Sequence, residues 1–208
     1  MIHGVWGRKL GMSQRFINDK AVPVTAIEVT NWFVTGLRSQ ENNGYSAIQV
    51  AQVKKRHSGT DFSADWIKNG KKYFSSIKEI RTIGNAESIV IGTPLTPTDM
   101  IDLKVGEYVN VTGVTKGAGF QGVVKRHGFT GGRASHGDKT GRKPGAGGVT
   151  RGSGNVIKGK RFPGHMGVDN RTMKNLEVIA WQGDVLFIKG SIPGKSHSLV
   201  FVNKNVAR

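Results

Sequence analysis

The stretch EYVNVTGVTKGAGFQGVVKR, residues 107–126, changes character in its middle. Over Glu107–Val114 the side chains alternate: Val109 and Val111 face one side and polar residues face the other, which predicts a β-strand. From Lys116 onward the alternation stops, and glycines and cations replace the apolar residues. The sequence therefore predicts a sheet, followed by a segment that does not belong to it.

The segment from Gly113 to His165 is rich in glycine and positive charge. Its 53 residues contain 16 Gly, 11 Lys or Arg and three His, but a single acid, Asp138. It therefore carries ten of the chain's 17 net positive charges, and the rest of the chain carries seven at an ordinary density. Because such a field attracts a polyanion, nucleic acid is the first candidate partner and an anionic membrane surface is the second.

Outside this segment, short runs rich in Val, Ile and Thr predict β-strands separated by turns such as Asn18-Asp19. The predicted strands cover residues 21–30, 31–37, 45–53, 107–114, 173–181, 185–189 and 198–202, with a turn at 41–44. A short helix is predicted over Phe62–Gly70, with Ser63 as its N-cap. Many short strands joined by short turns favour a mainly β fold, a closed or nearly closed antiparallel barrel with at most short helices.

The composition excludes several kinds of chemistry and location. The chain has no cysteine, so disulfides and thiolate chemistry are excluded, and a metal site would need His or carboxylate ligands. The beginning of the sequence, MIHGVWGRKLGM, has no apolar core of signal-peptide length. No window approaches the roughly 18 apolar residues that a membrane span needs. We expect a soluble, cytoplasmic protein.

Two glycine patterns resemble nucleotide-binding motifs. Gly117–Gly122 fits G-x-G-x-x-G and follows a strand, but residues 123–128 do not predict the helix whose N-terminus would hold a pyrophosphate. Gly154–Arg161 nearly fits the P-loop pattern, but Arg161 replaces the hydroxyl residue and Pro163 interrupts a following helix. A nucleotide-dependent enzyme is therefore an alternative hypothesis, and we expect no cofactor and no catalytic residue.

Three histidines lie in the basic segment: His127, His136 and His165. Their spacing does not resemble that of a pair of metal ligands, and the surrounding cations would repel a metal ion. We expect no metal site. Histidines in this setting are better suited to stack on bases or to donate to phosphates.

The basic segment differs from a solvated, disordered linker in three ways. It is internal, it contains Phe120, Phe129 and Phe162, and its cations are dispersed among glycines. Arg and Lys neutralise phosphates, Gly lets the backbone turn and approach closely, and aromatic rings stack on unpaired bases. The pattern therefore favours contact with RNA, and a DNA-compacting protein remains a further alternative.

Five stretches of the chain are similar to motifs of one protein family. They are residues 7–13 (GRKLGMS), 23–29 (PVTAIEV), 44–50 (GYSAIQV), 111–126 (VTGVTKGAGFQGVVKR) and 158–167 (KGKRFPGHMG). On these residues the chain resembles ribosomal protein L three, the third protein of the large ribosomal subunit, in its bacterial-type form. The resemblance runs along nearly the whole chain and is loose over residues 54–106.

The resemblance implies a barrel like that of translation elongation factors, formed by residues 1–112 and 168–208, with a variable insert at 54–106. It implies that residues 113–167 form an extended basic loop that penetrates ribosomal RNA toward the peptidyl-transferase centre. Family members are structural proteins that bind ribosomal RNA early in subunit assembly and contact neighbouring large-subunit proteins. The implied location is the ribosome, in the cytoplasm or in an organelle, with no membrane or small-molecule partner; the alternative is a non-specific nucleic-acid-binding protein.

The predicted RNA-binding residues are cations and histidines of the opening motif and of the basic segment. They are Arg8, Lys9, Lys116, Lys125, Arg126, His127, Arg133, His136, Lys139, Arg142, Lys143, Arg151, Lys158, Lys160, Arg161 and His165. The predicted loop tip near the peptidyl-transferase centre consists of Gly147, Gly148, Val149, Thr150, Arg151, Gly152 and Ser153. Some bacterial members of the family carry a methylated glutamine at this tip, whereas this chain has no glutamine there to accept that group.

Overall fold

The structure is a computed structural model that describes residues 4–60, 62–82, 89–95, 103–148 and 154–204. The chain divides into two compact units. We call Met1–Val114 with Asn170–Arg208 the barrel unit, and Thr115–Asp169 the loop unit. Among the described residues the fold is mainly β with antiparallel strands, as predicted.

The described residues contain short helices and strands of unequal length. The strands are β1 (Gly4–Ile17), β2 (Lys20–Glu28), β3 (Trp32–Arg38), β4 (Ala47–Val53), β5 (Phe74–Arg81), β6 (Pro94–Leu95), β7 (Tyr108–Val114), β8 (Gly119–Gln121), β9 (Gly164–Met166), β10 (Asn170–Gln182), β11 (Val185–Lys189) and β12 (Leu199–Lys204). The helices are α1 (Gln40–Asn43), α2 (Asp65–Lys68), α3 (Gly70–Tyr73) and α4 (Val123–His127), with a 3-10 turn at Lys55–His57.

Six strands of the barrel unit close on themselves in the order β1-β12-β7-β10-β11-β2. Every neighbouring pair is antiparallel, including the pair of β1 and β2 that completes the ring. The predicted antiparallel barrel is therefore confirmed. Its likeness to the barrel of elongation factors stays a prediction.

The hairpin of β1 and β2 follows from its turn residues. Asn18 and Asp19 both have positive φ, 48° and 61°, between the register partners Ile17 and Lys20. A two-residue turn of this kind twists in the same sense as the flanking strands, and Asn and Asp tolerate it better than most residues. The turn predicted at Asn18-Asp19 is confirmed.

Strand β1, which has 14 residues, was not predicted. Val5, Gly7 and Lys9 occupy alternate, buried positions of this strand. A lysine at a core-facing position breaks the alternation of apolar and polar residues on which the prediction of strands depends. Strand β1 therefore escaped prediction because Lys9 is polar and yet faces the interior.

The second sheet of the barrel unit has the order β5-β4-β3-β6. The sequence analysis placed residues 31–53 within the barrel, but β3 and β4 belong to this separate sheet. Strand β4 is one of its two inner strands and is buried at six of its seven residues. The two edge strands come from the 54–106 region, where no strand was predicted: β5 pairs with β4, and β6 pairs with β3.

One hydrophobic core joins the barrel to the second sheet. It combines Ile27, Val111 and Leu186 of the barrel with Trp32 and Ile48 of the sheet, each at most 1% exposed. Burying a side chain of this size stabilises a fold by about 1.5–3 kcal/mol. A smaller aromatic cluster, formed by Phe33, Phe62, Trp66, Tyr73 and Phe74, packs α2 and α3 against the sheet.

The predicted helix over Phe62–Gly70 is present as two single turns, α2 and α3. Ala64 occupies the N-cap position of α2, not Ser63 as predicted, although Ser63 Oγ accepts a hydrogen bond from Asp65 N at 3.4 Å. The turn predicted at 41–44 is part of the single helical turn α1, which ends where Gly44 N donates to Gln40 O.

Candidate nucleic-acid interface

The loop unit begins directly after β7 and ends directly before β10. Its two ends are hydrogen-bonded to each other: Thr115 N donates to Asp169 O at 2.9 Å, and Asp169 N donates to Thr115 Oγ1 at 3.2 Å. The long glycine-rich segment is therefore closed at its base.

The two predicted arms of this loop, residues 116–127 and 158–165, are brought together by a short ladder. Strands β8 and β9 pair antiparallel, with Phe120 opposite His165. The ladder continues past β8, where Ala118 N donates to Met166 O at 2.9 Å. Because glycine disfavours strands, the sequence analysis treated regular structure here as costly, and the ladder is accordingly only three residues long.

Phe162 links the second arm to the helix of the first. Its carbonyl oxygen accepts hydrogen bonds from Arg126 Nη1 at 2.7 Å and from His127 Nε2 at 3.0 Å. Gly128 ends the helix α4 with a φ of 73°, a conformation that suits glycine. A guanidinium group has five donors, so Arg126 keeps donors for another acceptor while it holds the two arms together.

Asp138 organises the outer part of the loop unit, where residues 130–146 are all exposed. Its carboxylate accepts the Thr140 N–H at 2.8 Å, and this hydrogen bond is the main reason that the pKa of Asp138 lies below its usual value. Close by, Gly132 N donates to Gly141 O at 2.7 Å. The single acid of the basic segment therefore shapes a turn and forms no ion pair among the described residues.

Most predicted RNA-binding residues of the loop unit present their side chains to solvent. The exposed ones are Lys116, Lys125, Arg133, His136, Lys139, Arg142, Lys143, Lys158, Lys160, Arg161 and His165. Arg126 and His127 are half-buried, and Lys160 Nζ donates to Gly147 O at 2.8 Å. None of the four ion pairs formed by described residues includes any of these cations. Their charge is left without a partner acid in the part of the loop unit that the structure describes.

An exposed aromatic ring accompanies these cations. Phe120 is 76% exposed, although a phenylalanine normally gains stability by burial. Its neighbour across the ladder, His165, is also exposed. The two rings offer flat faces on which unpaired bases can stack.

The two predicted RNA-binding residues of the barrel unit behave differently from each other. Lys9 is only 8% exposed, and its ammonium group donates to Ile192 O at 2.8 Å and Gly194 O at 3.1 Å. The ammonium group of Lys9 therefore points into the barrel unit and away from solvent, which does not favour contact with a phosphate. Its assignment as an RNA contact stays a prediction. Arg8 is half-buried, with Nε bonded to Gln52 Oε1 at 2.9 Å, and stays a candidate contact.

The predicted loop tip lies largely outside the described residues. Gly147 and Gly148 are described, and Val149, Thr150, Arg151, Gly152 and Ser153 are not. The assignment of this tip, and of Arg151 as an RNA contact, stays a prediction.

Comparisons with known proteins extend along almost the whole chain. The large ribosomal subunit protein uL3 of Desulfatibacillum aliphaticivorans is 38% identical over 209 residues, which cover 98% of this chain and 97% of the relative. The protein of the same name from Prochlorococcus marinus is 40% identical, over 97% of this chain and 94% of the relative. The chain belongs to the ribosomal protein L3 family. The family model itself, Ribosomal protein L3, matches residues 96–184, a range that contains the whole loop unit.

The structure around Gly117–Gly122 differs from that of a dinucleotide-binding site. A helix does follow Gly117–Gly122, contrary to the prediction, but α4 has only five residues. Strand β8 before it belongs to a two-stranded ladder, whereas a dinucleotide site needs a parallel sheet with a crossover helix.

The described residues form neither a metal-binding cluster nor a membrane-spanning helix. No group of three or more His, Cys, Asp or Glu side chains is arranged to hold a metal ion there. No described helix is long and apolar enough to cross a membrane.

Proposed function

We propose that this member of the ribosomal protein L3 family is a structural, RNA-binding component of the large ribosomal subunit. In this proposal the barrel unit anchors the protein and the loop unit makes the main contact with ribosomal RNA. The observation that carries it is the set of exposed loop-unit cations that form no ion pair among the described residues, on a chain segment held by hydrogen bonds. We assign the protein no catalytic role.

The chemistry of the loop unit suits a phosphate backbone. Exposed lysines and arginines gain free energy by displacing the counterions that surround a polyanion. Without such a partner, like charges on one small unit repel one another and oppose its compact form. Ribosomal RNA supplies phosphates on several sides at once, together with unpaired bases for rings such as Phe120.

The finer parts of the proposal follow from the family. We infer that the protein binds ribosomal RNA early in subunit assembly, contacts neighbouring large-subunit proteins, and works within the ribosome. We infer further that residues 147–153 form the end of the loop nearest the peptidyl-transferase centre. Relatives named as large ribosomal subunit proteins, matched along almost their full length, support the inferred place in the large subunit.

The test removes charge from the loop unit without removing its internal hydrogen bonds. Arg126 and Lys160 are left intact, since both side chains bond to backbone carbonyls. The variant replaces four exposed cations with glutamine: Lys116, Lys125, Lys158 and Arg161. Its control replaces four exposed lysines of the barrel unit: Lys20, Lys104, Lys174 and Lys195.

Affinity for large-subunit ribosomal RNA is then measured across a series of salt concentrations. Each lost phosphate contact lowers the slope of log affinity against log salt by about 0.7–0.9, so the loop variant should lose about 3 in slope. The control should lose much less. Equal slopes for the two variants would show that the loop unit does not bind the phosphate backbone.

A non-specific nucleic-acid-binding protein is the second candidate, and the uncompensated charge alone would also support it. The same titration with duplex DNA at matched salt separates the two. Binding to ribosomal RNA should be clearly tighter, because bases stacked on Phe120 and a folded backbone are available only in the RNA. Equal affinities would favour the second candidate.

A further inference from the structure

The barrel unit contains a second concentration of positive charge, in the segment KKRHSGTDFSADWIKNGKK, residues 54–72. This segment has six Lys or Arg and two acids, a net charge of four. Seven of the chain's 17 net positive charges lie outside the basic segment, where their mean density is ordinary. More than half of them fall within these residues.

The fold brings the two ends of this segment side by side. Lys54 N donates to Tyr73 O at 2.9 Å, and Lys54 Nζ donates to Lys71 O. Arg56 Nη2 donates to Lys72 O at 3.1 Å. We call the surface formed by Lys54, Lys55, Arg56, Lys71 and Lys72 the insert surface.

Packed aromatic rings hold the insert surface in place. Trp66 stacks on Tyr73 with ring centroids 5.2 Å apart and an interplanar angle of 7°. His57 packs on the same tyrosine at 4.9 Å. The cations therefore sit on a packed frame, and their positions follow from the fold of the barrel unit.

The charge of the insert surface is uncompensated among the described residues. None of the four ion pairs formed there includes any of its five cations. The nearby Asp65 pairs with Lys68 at 3.6 Å. Gathering like charges without an acid opposes folding unless an anion is bound, so this arrangement indicates an anionic partner.

The hydrogen-bonding capacity of the insert surface narrows the class of that partner. The carbonyl oxygens of Lys54 and Lys55 accept the N–H groups of His57 and Ser58, and those of Lys71 and Lys72 accept the side chains above. The surface therefore offers donors and few free acceptors. Phosphodiester oxygens only accept hydrogen bonds, whereas a peptide segment also brings N–H groups that need acceptors.

The same surface continues toward Arg8, the predicted contact of the opening motif. Arg8, Lys54 and Lys55 line one cavity of about 470 Å³, together with residues that include Glu28 and His197. Gln52 and Ser75 hold the guanidinium of Arg8, with Ser75 Oγ 3.3 Å from Nη2. Arg8 on β1 therefore lies at the same cavity as two cations of the insert surface.

We propose that the insert surface, with Arg8, is a second phosphate-binding surface that takes the backbone of structured RNA. It lies on the barrel unit and acts independently of the loop unit. This inference goes beyond the proposed function, in which the barrel unit served only as an anchor of unstated chemistry.

The test removes the three cations of the insert surface whose side chains do not bond to a backbone carbonyl. The variant carries Lys55→Gln, Lys71→Gln and Lys72→Gln, so that Lys54 and Arg56 still hold the two ends of the segment together. A matched control carries Lys20→Gln, Lys174→Gln and Lys195→Gln, three exposed lysines elsewhere on the barrel unit. Thermal melts establish that both variants are folded.

The affinity of the full chain for bacterial large-subunit ribosomal RNA is measured across a salt series. The insert variant should lose at least tenfold in affinity at low salt and about 2 in the slope of log affinity against log salt. Lysine acetylation should also be slowed at positions 55, 71 and 72 when RNA is bound to the unmodified protein. A slope equal to that of the control, or unchanged acetylation, would overturn the inference.

Further outcomes distinguish this inference from other anionic partners and from the proposed function. Anionic vesicles or an acidic peptide that compete with RNA for the unmodified protein but not for the insert variant would assign the surface to those partners and overturn it. If the slope of log affinity against log salt is unchanged in the loop-unit variant but lowered in the insert variant, the proposed function is refuted and this inference stands. A further variant carries both the loop-unit and the insert substitutions. If its loss in log affinity equals the sum of the two separate losses, the two surfaces act independently.

Discussion

Lys9 shows that the position of a cation decides what it does. Its ammonium group lies inside the barrel unit and donates to Ile192 O and Gly194 O, which fixes the loop before β12. Its neighbour Arg8 lies on the opposite side of β1, where Gln52 and Ser75 hold it near the surface. Consecutive residues of a strand face opposite ways, so one basic pair serves two purposes.

Replacing Lys9 with methionine should destabilise the protein and leave its RNA binding intact. The substitution removes the donor for two buried carbonyl oxygens, which costs about 1–3 kcal/mol for each group left unsatisfied. Denaturant unfolding measures this loss, and Lys20→Met, at an exposed position, is the control. A stable Lys9→Met variant with a lowered salt slope for RNA binding would instead support Lys9 as a phosphate contact.

Asp138 makes the stability of its turn in the loop unit depend on pH in the acid range. The Thr140 N–H lowers the pKa of this carboxyl below its usual value, so the charged form is favoured in the folded turn. The stabilisation is therefore fully present above the ordinary carboxyl pKa of about 4 and is lost as the pH falls through the lowered folded value. In Asp138→Asn this acid dependence should disappear.

Amide chemical shifts and hydrogen exchange at Thr140 measure the effect, followed from neutral pH into the acid range. The unmodified protein should show one titration, centred below the usual value for an aspartate. If the Thr140 amide of Asp138→Asn titrates over the same range, another group controls this turn.

At the scale of elements, the ladder of β8 and β9 depends on the glycine that follows it. Gly167 has a φ of 85°, and a Cβ there would collide with Lys116 O. Gly167→Ala should therefore separate the two arms of the loop unit. Gly148 has an ordinary φ and open space around its Cα, so Gly148→Ala is a matched control.

Hydrogen exchange reports the ladder directly, through the Ala118 amide that donates to Met166 O. Its protection should fall at least tenfold in Gly167→Ala and stay unchanged in Gly148→Ala. Equal protection in both variants would show that the arms are held together without the ladder.

The elements also show which features a sequence of this kind reveals. Strand β11 was predicted at its observed ends, Val185–Lys189, because it is a short apolar run bounded by turns. Strand β7 begins one residue later than predicted, and its alternating valines made it recognisable. Strand β1 was missed because Lys9 occupies a core-facing position. Strands β3 and β4 were predicted, but alternation within a strand does not tell which sheet receives it.

In the candidate site, too, the sequence pattern revealed the residue types but not their contacts. The concentration of charge in the loop unit could be read from the composition alone. The engagement of Arg126 and Lys160 with backbone carbonyls could not, because it depends on partners 36 and 13 residues away in the sequence. The insert surface was hidden because its cations lie in two short groups that only the fold of α2 and α3 brings together.

At the scale of the whole molecule, the barrel unit should fold without the loop unit. The residues Val114 and Asn170 are direct partners in the ladder of β7 and β10, so a two-residue Asn-Gly turn in place of 115–169 should close a hairpin. The shortened protein should keep a cooperative melt. Loss of that melt would show that the loop unit contributes to the core.

The deletion of 115–169 keeps two residues that were counted in the basic segment of 113–165. Gly113 and Val114 belong to β7, and Gly113 pairs with both Arg171 and Val200. A wider deletion from residue 113 would cut into the barrel, so it serves as a control that should melt at a lower temperature.

The claim that the loop unit binds ribosomal RNA is tested most directly inside large ribosomal subunits that contain this protein. Ultraviolet cross-linking of such particles, followed by mass spectrometry, identifies which peptides carry ribosomal nucleotides. The account predicts cross-linked peptides from both arms, residues 116–127 and 158–165, with nucleotides attached at or beside Phe120 and His165. Particles in which those peptides carry no nucleotide, while their lysines react with acetylating reagent as fast as in the free protein, would contradict it.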